Sequence, residues 1–339
     1  MRLLIVLPRQ DRVSGNWVSA IRLQQGLMAR GHAVALHDTD GTSAPLAAAA
    51  AGFRPDATLL LHAWRSGRPW LESGGAAPFA VLLTGTDVNL GLHDPAQAPG
   101  IEAVLARAAA ILAQNAATVA SLAGERPELA ARLHHLPPGI VLGNAPFPLR
   151  ERVPVPAGAL RALCPAGIRP VKGVLELLEM SDPLAAAGTP LDLAFCGPVI
   201  DKAYGERFRA AVAARPWATW LGSIPPAAMP DAMRQADLVI NNSSSEGLPN
   251  ALVEAAVLGR PIVARDIPGN AAIVNDGGNG LLYRDAAGFH AAIRRLQGDP
   301  ALRRQLSRPD AERFSVEREA ATLEKICLQI LGRHGERQL

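Results

Sequence analysis

Short apolar runs recur along the chain, each separated from the next by a stretch of Ala- and Leu-rich helical spacing. LLIVL (residues 3–7), HAVALHD (32–38), ATLLLHA (57–63), FAVLLTGTD (79–87) and AAILAQN (109–115) form a first set. ALRALCPAG (159–167), LDLAFCGP (191–198), WATWLGSI (217–224), the run at 238–242 and PIVA (261–264) form a second. Runs this short and this apolar read as strands buried on both faces. Strands alternating with helices close only as parallel sheets covered by helices, which makes the chain α/β. At 339 residues the natural expectation is two domains, each able to bury a core. LPPGIVLGNAPFPLRERVPVP (136–156) breaks both helix and strand and reads as the connection. The expected domains are 1–150 and 157–315, with a helical tail over 316–339. Helices are also expected near 17–30, ending at Gly31, over the AAAAA run at 47–51, and through 286–331.

Composition removes several classes of function. The net charge is +3 from 34 basic and 31 acidic residues, with no basic block interleaved with aromatics, which argues against nucleic acid as a partner. Cys164, Cys196 and Cys327 lie far apart with no CxxC pair and read as core thiols of a reducing compartment. No apolar run reaches the ~18 residues of a membrane span, and LLIVLP is too short for a signal segment, so no integral membrane segment and a cytoplasmic location are expected. GxSxG and GxxxxGK[ST] are both missing from the sequence. No metal site is expected either: His134-His135 have no partners at ligand spacing, and Asp38-Thr39-Asp40, followed by Gly41, reads as a turn.

The richest segment is VINNSSSEGLPNALVEAAVLGRPIVARDIPGNAAIVNDGGNGLLY, residues 239–283. Its order is strand, loop, helix, strand. Pro249 suits a first helical turn, and Gly259 with Pro261 marks the end. Glu246 therefore falls in the loop and Glu254 in the helix. Free N–H groups and the positive end of the dipole make such a helix start a phosphate site, and Gly247 allows close backbone approach. Glu254 stands about 7 Å further along the axis, where a carboxylate can accept bonds from ribose hydroxyls. Glu246 can hold the hydroxyls of a transferred sugar. A capped helix with Glu254 on a solvated face stands beside this reading.

These residues resemble a known family. Glu-Gly-Leu-Pro-Asn at 246–250 followed by Glu254-Ala is similar to the donor-binding signature of retaining family 4 glycosyltransferases, which have the GT-B fold: two Rossmann-like domains facing each other across a cleft. VARDIPGNAAIV (263–274) and SGNWVSAIR (14–22) resemble the narrower group of glycosyltransferase-1-domain-containing protein 1 and its bacterial relatives. The resemblance implies a sugar-nucleotide donor, a UDP-sugar by prior, an unidentified acceptor, and transfer with retention and without a metal. It assigns Arg169 and Lys172 of GIRPVKG to the departing diphosphate. Glu246, Gly247, Leu248, Asn250 and Glu254 go to the donor, with backbone near Ile224 at the base. Taken without the resemblance, GIRPVKG is equally a solvated basic loop. Gly15 and Asn16, after the first strand, are expected to face the donor phosphate or the acceptor, with a simple strand-to-helix turn as the other reading. Arg22, one turn on, either points the same way or is solvated.

The acceptor side is assigned to His62, Thr84 and Asp87. Thr84 stands where the family often has a His, so its hydroxyl can bond a sugar but cannot titrate near neutrality. His62 also reads as a structural hydrogen-bonder, and Asp87 as a loop-orienting group or a cap. GNWVSA and LTGTD also resemble selenosugar synthases, which join a UDP-sugar to selenophosphate. A sugar-nucleotide epimerase and a non-catalytic sugar-nucleotide-binding protein are the remaining alternatives.

Overall fold

The computed structural model describes residues 1–9, 15–189 and 191–336. The chain divides into two compact units, Met1–Val141 with the segment from Arg313 onward, and Leu142–Glu312.

The first unit carries β1 (Arg2–Pro8), β2 (Ala33–Thr39), β3 (Ala57–Leu61), β4 (Phe79–Leu83), β5 (Ala110–Ala113) and β6 (Leu133–His135). They form one sheet in the order β2-β1-β3-β4-β5-β6, every pair parallel. The apolar strands bury both faces, and the two resulting cores hold alternate residues: Leu3, Ile5 and Leu7 on one side, Leu4 and Val6 on the other. The order reverses between β1 and β3, so the loops leaving those strands flank a switch point, where open α/β sheets bind ligands.

FAVLLTGTD ends as a strand at Leu83, because Gly85 takes φ 97° and the chain turns into a short helix at Thr86–Asn89. Two short strands escaped the sequence reading. LHH of β6 is a half-polar edge strand, and GLLY of β12 (Gly280–Tyr283) follows a Gly-rich turn that hides its start.

The helix Val316–Glu336 packs on the first unit, giving Leu323, Ile326, Cys327 and Ile330 to its core. It meets the helix Gly15–Ala29 so closely that a Cβ on Gly26 would lie 2.9 Å from that of Ala320. Arg22 is 4% exposed and grips Glu319, itself 1% exposed, through Nε to Oε2 at 2.6 Å and Nη2 to Oε1 at 2.9 Å. Arg22 is therefore neither solvated nor turned toward a ligand. A pair this buried stands on its two-pronged geometry, and removing one partner strands the other charge.

The second unit carries β7 (Leu160–Pro165), β8 (Leu191–Cys196), β9 (Ala218–Trp220), β10 (Leu238–Asn241), β11 (Ile262–Arg265) and β12. Their order is β12-β11-β10-β7-β8-β9, all parallel, with the reversal between β7 and β10. Part of the Pro-rich segment belongs to this unit: Ala145 N–H donates to Ala227 O at 2.9 Å and Phe147 N–H to Asp231 at 2.8 Å. The helical region after residue 286 is interrupted between Leu306 and Val316.

Candidate functional site

In the second unit, the loops leaving β7 and β10 stand side by side at the switch point. The first loop turns through Pro170–Lys172 and passes into the helix Val174–Ala186 at Gly173. Gly173 has φ 59°, and a Cβ there would sit 2.6 Å from Asn242 O, so only glycine meets both demands. Asn242 ties the loops together, donating from Nδ2 to Gly173 O at 2.7 Å and accepting from the Tyr283 hydroxyl at 2.7 Å. Ser244 N–H donates to Val171 O at 2.9 Å.

On this frame Lys172 meets Glu246, with Nζ to Oε1 at 2.5 Å. Ser243 Oγ donates to the same oxygen at 2.7 Å and Asn241 Nδ2 at 3.3 Å. All three donors converge on Oε1, so Glu246 presents Oε2 with no partner among the described residues. Gly269 keeps this loop close: a Cβ there would fall 2.5 Å from Glu246 O. Arg169 is exposed at the start of the turn.

Glu254 sits in the helix Asn250–Val257, which Pro249 caps from just outside rather than entering. Gly247, Leu248 and Asn250 are half-buried around that helix start. Burial pushes the Glu254 carboxyl up to about 7, and among the described residues no hydrogen bond or ion pair offsets it. Its charge also reaches Cys196 at the end of β8, whose thiol is pushed well up by burial, with Cys164 and Glu254 adding to the effect. Ile224 is buried in the loop after β9. That loop is fixed by Gly197 N–H to Gly222 O at 2.9 Å and Leu221 N–H to Phe195 O at 2.9 Å.

The second unit thus gathers Lys172, Glu246 and the asparagines at one switch point, with Glu254 in the helix that follows. Asn241, Asn242, Ser243, Gly173 and Tyr283 were missed from sequence. The signal for three of them was present: NNSSS puts polar residues directly where an apolar strand ends.

In the first unit, Ser14 lies outside the described residues; Gly15 is exposed and Asn16 half-buried at the start of their helix. His62 follows β3 with φ 82° and ψ 115°, a conformation L-residues avoid, and is 4% exposed. Its Nδ1 accepts Arg65 N–H at 3.2 Å and its Nε2 lies 3.2 Å from Thr86 Oγ1. Burial lowers its pKa, against a smaller opposing pull from Asp87 and with a further lowering from Arg65. Asp87 is fully buried, accepting Ala63 N–H at 2.9 Å and Thr84 N–H at 3.0 Å. Both its oxygens are committed, so it orients the ends of β3 and β4 and does not reach an acceptor. Thr84 is half-buried, whereas Thr86 is exposed.

Asp40 accepts Thr42 N–H at 3.0 Å, Thr39 Oγ1 accepts Gly41 N–H at 3.1 Å, and Gly41 has φ 97°: this is a turn. Among the described residues no group of three or more His, Cys, Asp or Glu could hold a metal ion, and no helix is long and apolar enough to cross a membrane.

Two parallel six-stranded α/β units of this topology define the GT-B architecture. Sucrose-phosphate synthase from Thermosynechococcus elongatus shares it with a TM-score of 0.80 at 18% identity, covering 98% of this chain and 99% of that one. HepE from Anabaena, solved in complex with UDP and glucose, gives a TM-score of 0.72 at 15% identity, covering 95% and 98%. Residues 160–299 match the family described as Glycosyl transferases group 1. Glycosyltransferase 1 domain-containing protein 1 of Xenopus tropicalis is 26% identical over 94% of both chains. Residues 160–299 thus carry a glycosyl transferases group 1 domain, and the chain is a glycosyltransferase.

Proposed function

We propose that the protein transfers a sugar from a UDP-sugar to an acceptor with retention of configuration, using the second unit to hold the donor. The observation that carries this is the switch point between β7 and β10, where Lys172 and the loop carboxylate Glu246 meet, followed by a helix bearing the partnerless Glu254. A nucleoside diphosphate sugar needs the same three things in order: hydroxyl acceptors for the ribose, cations for the diphosphate, and an acceptor for the sugar hydroxyls. Complexes of HepE with UDP and with UDP-glucose support uridine as the base.

The chemistry follows from charge. Breaking the bond from the anomeric carbon to the diphosphate leaves negative charge on the phosphate oxygens. Lys172 and Arg169 stabilise that charge in the transition state, and the N–H groups at the start of the helix Asn250–Val257 add to it. A diphosphate competes with Glu246 for Lys172. As Lys172 turns toward phosphate, Glu246 gains acceptor capacity for the sugar hydroxyls. Glu254 binds best as the carboxylate, which ribose hydroxyls then satisfy. No pair of acid and base carboxylates of the glycosidase kind is needed, because the leaving phosphate takes the acceptor's proton on the same face.

The test is a thermal-shift screen of nucleotide sugars, followed by measurement of UDP release with mass spectrometry of the products. UDP-sugars are expected to raise the melting temperature and to be turned over slowly even with water as acceptor. If no nucleotide sugar stabilises the protein, the donor assignment is wrong.

A further inference from the structure

The strained, buried His62 belongs to the first unit and is not used in the donor reading above, and its surroundings point to a further ligand. Nδ1 faces the backbone N–H of Arg65 at 3.2 Å, a group that can only donate, so Nδ1 carries no proton in the neutral ring. The proton therefore sits on Nε2 and is given to Thr86 Oγ1, 3.2 Å away. Asp87 does not reverse this assignment. It lies 3.9 Å from Nδ1, and its oxygens are occupied by Ala63 and Thr84 N–H. Burial of the ring, which lowers its pKa, keeps it neutral.

Thr86 Oγ1 thus has a lone pair engaged by an N–H and its own hydrogen directed elsewhere. Thr86 is exposed, and among the described residues its hydroxyl has no other partner. A hydroxyl that accepts from an N–H is polarised into a stronger donor. Arg65 is exposed, with no carboxylate paired to it among the described residues; its backbone N–H holds His62 and its charge reaches the same ring that bonds Thr86. The half-buried Thr84 hydroxyl is two residues from Thr86 across Gly85. Asp87, next in sequence to Thr86, is wholly buried. Holding His62 at φ 82° strains the backbone, and such strain concentrates at ligand sites.

We propose that Thr86 and Arg65 form a subsite for an anionic oxygen group, a phosphate or carboxylate of the acceptor, and that His62 is the positioning residue that fixes the Thr86 hydroxyl as a donor to it. This rests on the transferase reading only in calling the ligand the acceptor; the anion site itself does not depend on the donor assignment.

The probe is inorganic phosphate, titrated into full-length protein saturated with UDP and labelled with 15N-histidine, following the His62 ring signals. Parent protein is expected to show a saturable shift of those signals, with Nε2 reporting as the protonated nitrogen. Thr86→Val and Arg65→Gln should each weaken phosphate binding by about tenfold or more, the scale of one lost hydrogen bond to a charged group. His62→Asn tolerates positive φ but is too short to reach Thr86. It should weaken phosphate several-fold, read from the Thr86 amide signal of uniformly 15N-labelled protein. Glucose and glucose 6-phosphate form the matched pair, and only the phosphate should shift the ring. No saturable shift, an unprotonated Nε2, or equal effects of glucose and its phosphate would overturn the proposal. Failure of UDP to bind, by contrast, would count against the donor site while leaving the phosphate titration readable.

Discussion

Replacing Glu254 with Gln removes a charge that the fold buries without compensation. Burial raises its pKa from 4.5 to about 7. For an acid whose folded pKa lies above its unfolded one, the folded state holds the proton more tightly. Stability is therefore full below the unfolded value, near pH 4.5, and is lost as pH rises through about 7. At ~1.4 kcal/mol per unit, the loss amounts to about 3 kcal/mol above pH 8. Glu254→Gln should recover most of it at pH 8 and change little at pH 4.5. A chain of two units need not unfold in one step, so the assay is hydrogen exchange of β8 and β10, which reports the second unit alone. Protection of these strands should rise on substitution at pH 8 and not at pH 4.5. Unchanged or lowered protection at pH 8 would show that the carboxylate is not paying a burial cost, and the reasoning for a vacant ribose acceptor would fall with it.

Three further outcomes follow from the geometry. Lys172→Met should lower turnover of a UDP-sugar by about 10²-fold or more, the scale of one lost electrostatic stabiliser, in initial-rate assays of UDP release. Gly173→Ala meets both a positive φ and Asn242 O at 2.6 Å; it should destabilise the second unit by about 1–3 kcal/mol and weaken UDP binding, measured by denaturation and calorimetry. Glu319→Ala strands the buried Arg22 and should cost about 3–5 kcal/mol, read as lost exchange protection in the helix Gly15–Ala29 with the second unit unaffected.

The architecture was legible because buried parallel strands leave unbroken apolar runs, and ten of the twelve strands among the described residues announce themselves so. β6 and β12 did not, being short and, for LHH, half polar. Glu246 and Glu254 were legible because a strand, a Pro-marked helix start and a Gly end fix their places in one short segment. What tertiary contact decides was not. Arg22 finds Glu319 almost three hundred residues away, and no local pattern in SGNWVSAIR distinguishes that partner from water. Thr84 drew attention because it stands where the resembled family often has a His, yet the exposed hydroxyl held by His62 is that of Thr86, because Gly85 turns the chain between them. Asn242 links three elements distant in sequence, and only the sheet order makes them neighbours.

The central claim, that the switch point of the second unit holds a uridine nucleotide with Glu254 on its ribose, is tested most directly by calorimetric titration of UDP at pH 8 into the parent and Glu254→Ala proteins. Saturable binding by the parent and binding at least about tenfold weaker by the variant is the predicted result, as one lost charged hydrogen-bond acceptor requires. Equal affinity of the two proteins, or no binding by the parent, would contradict it.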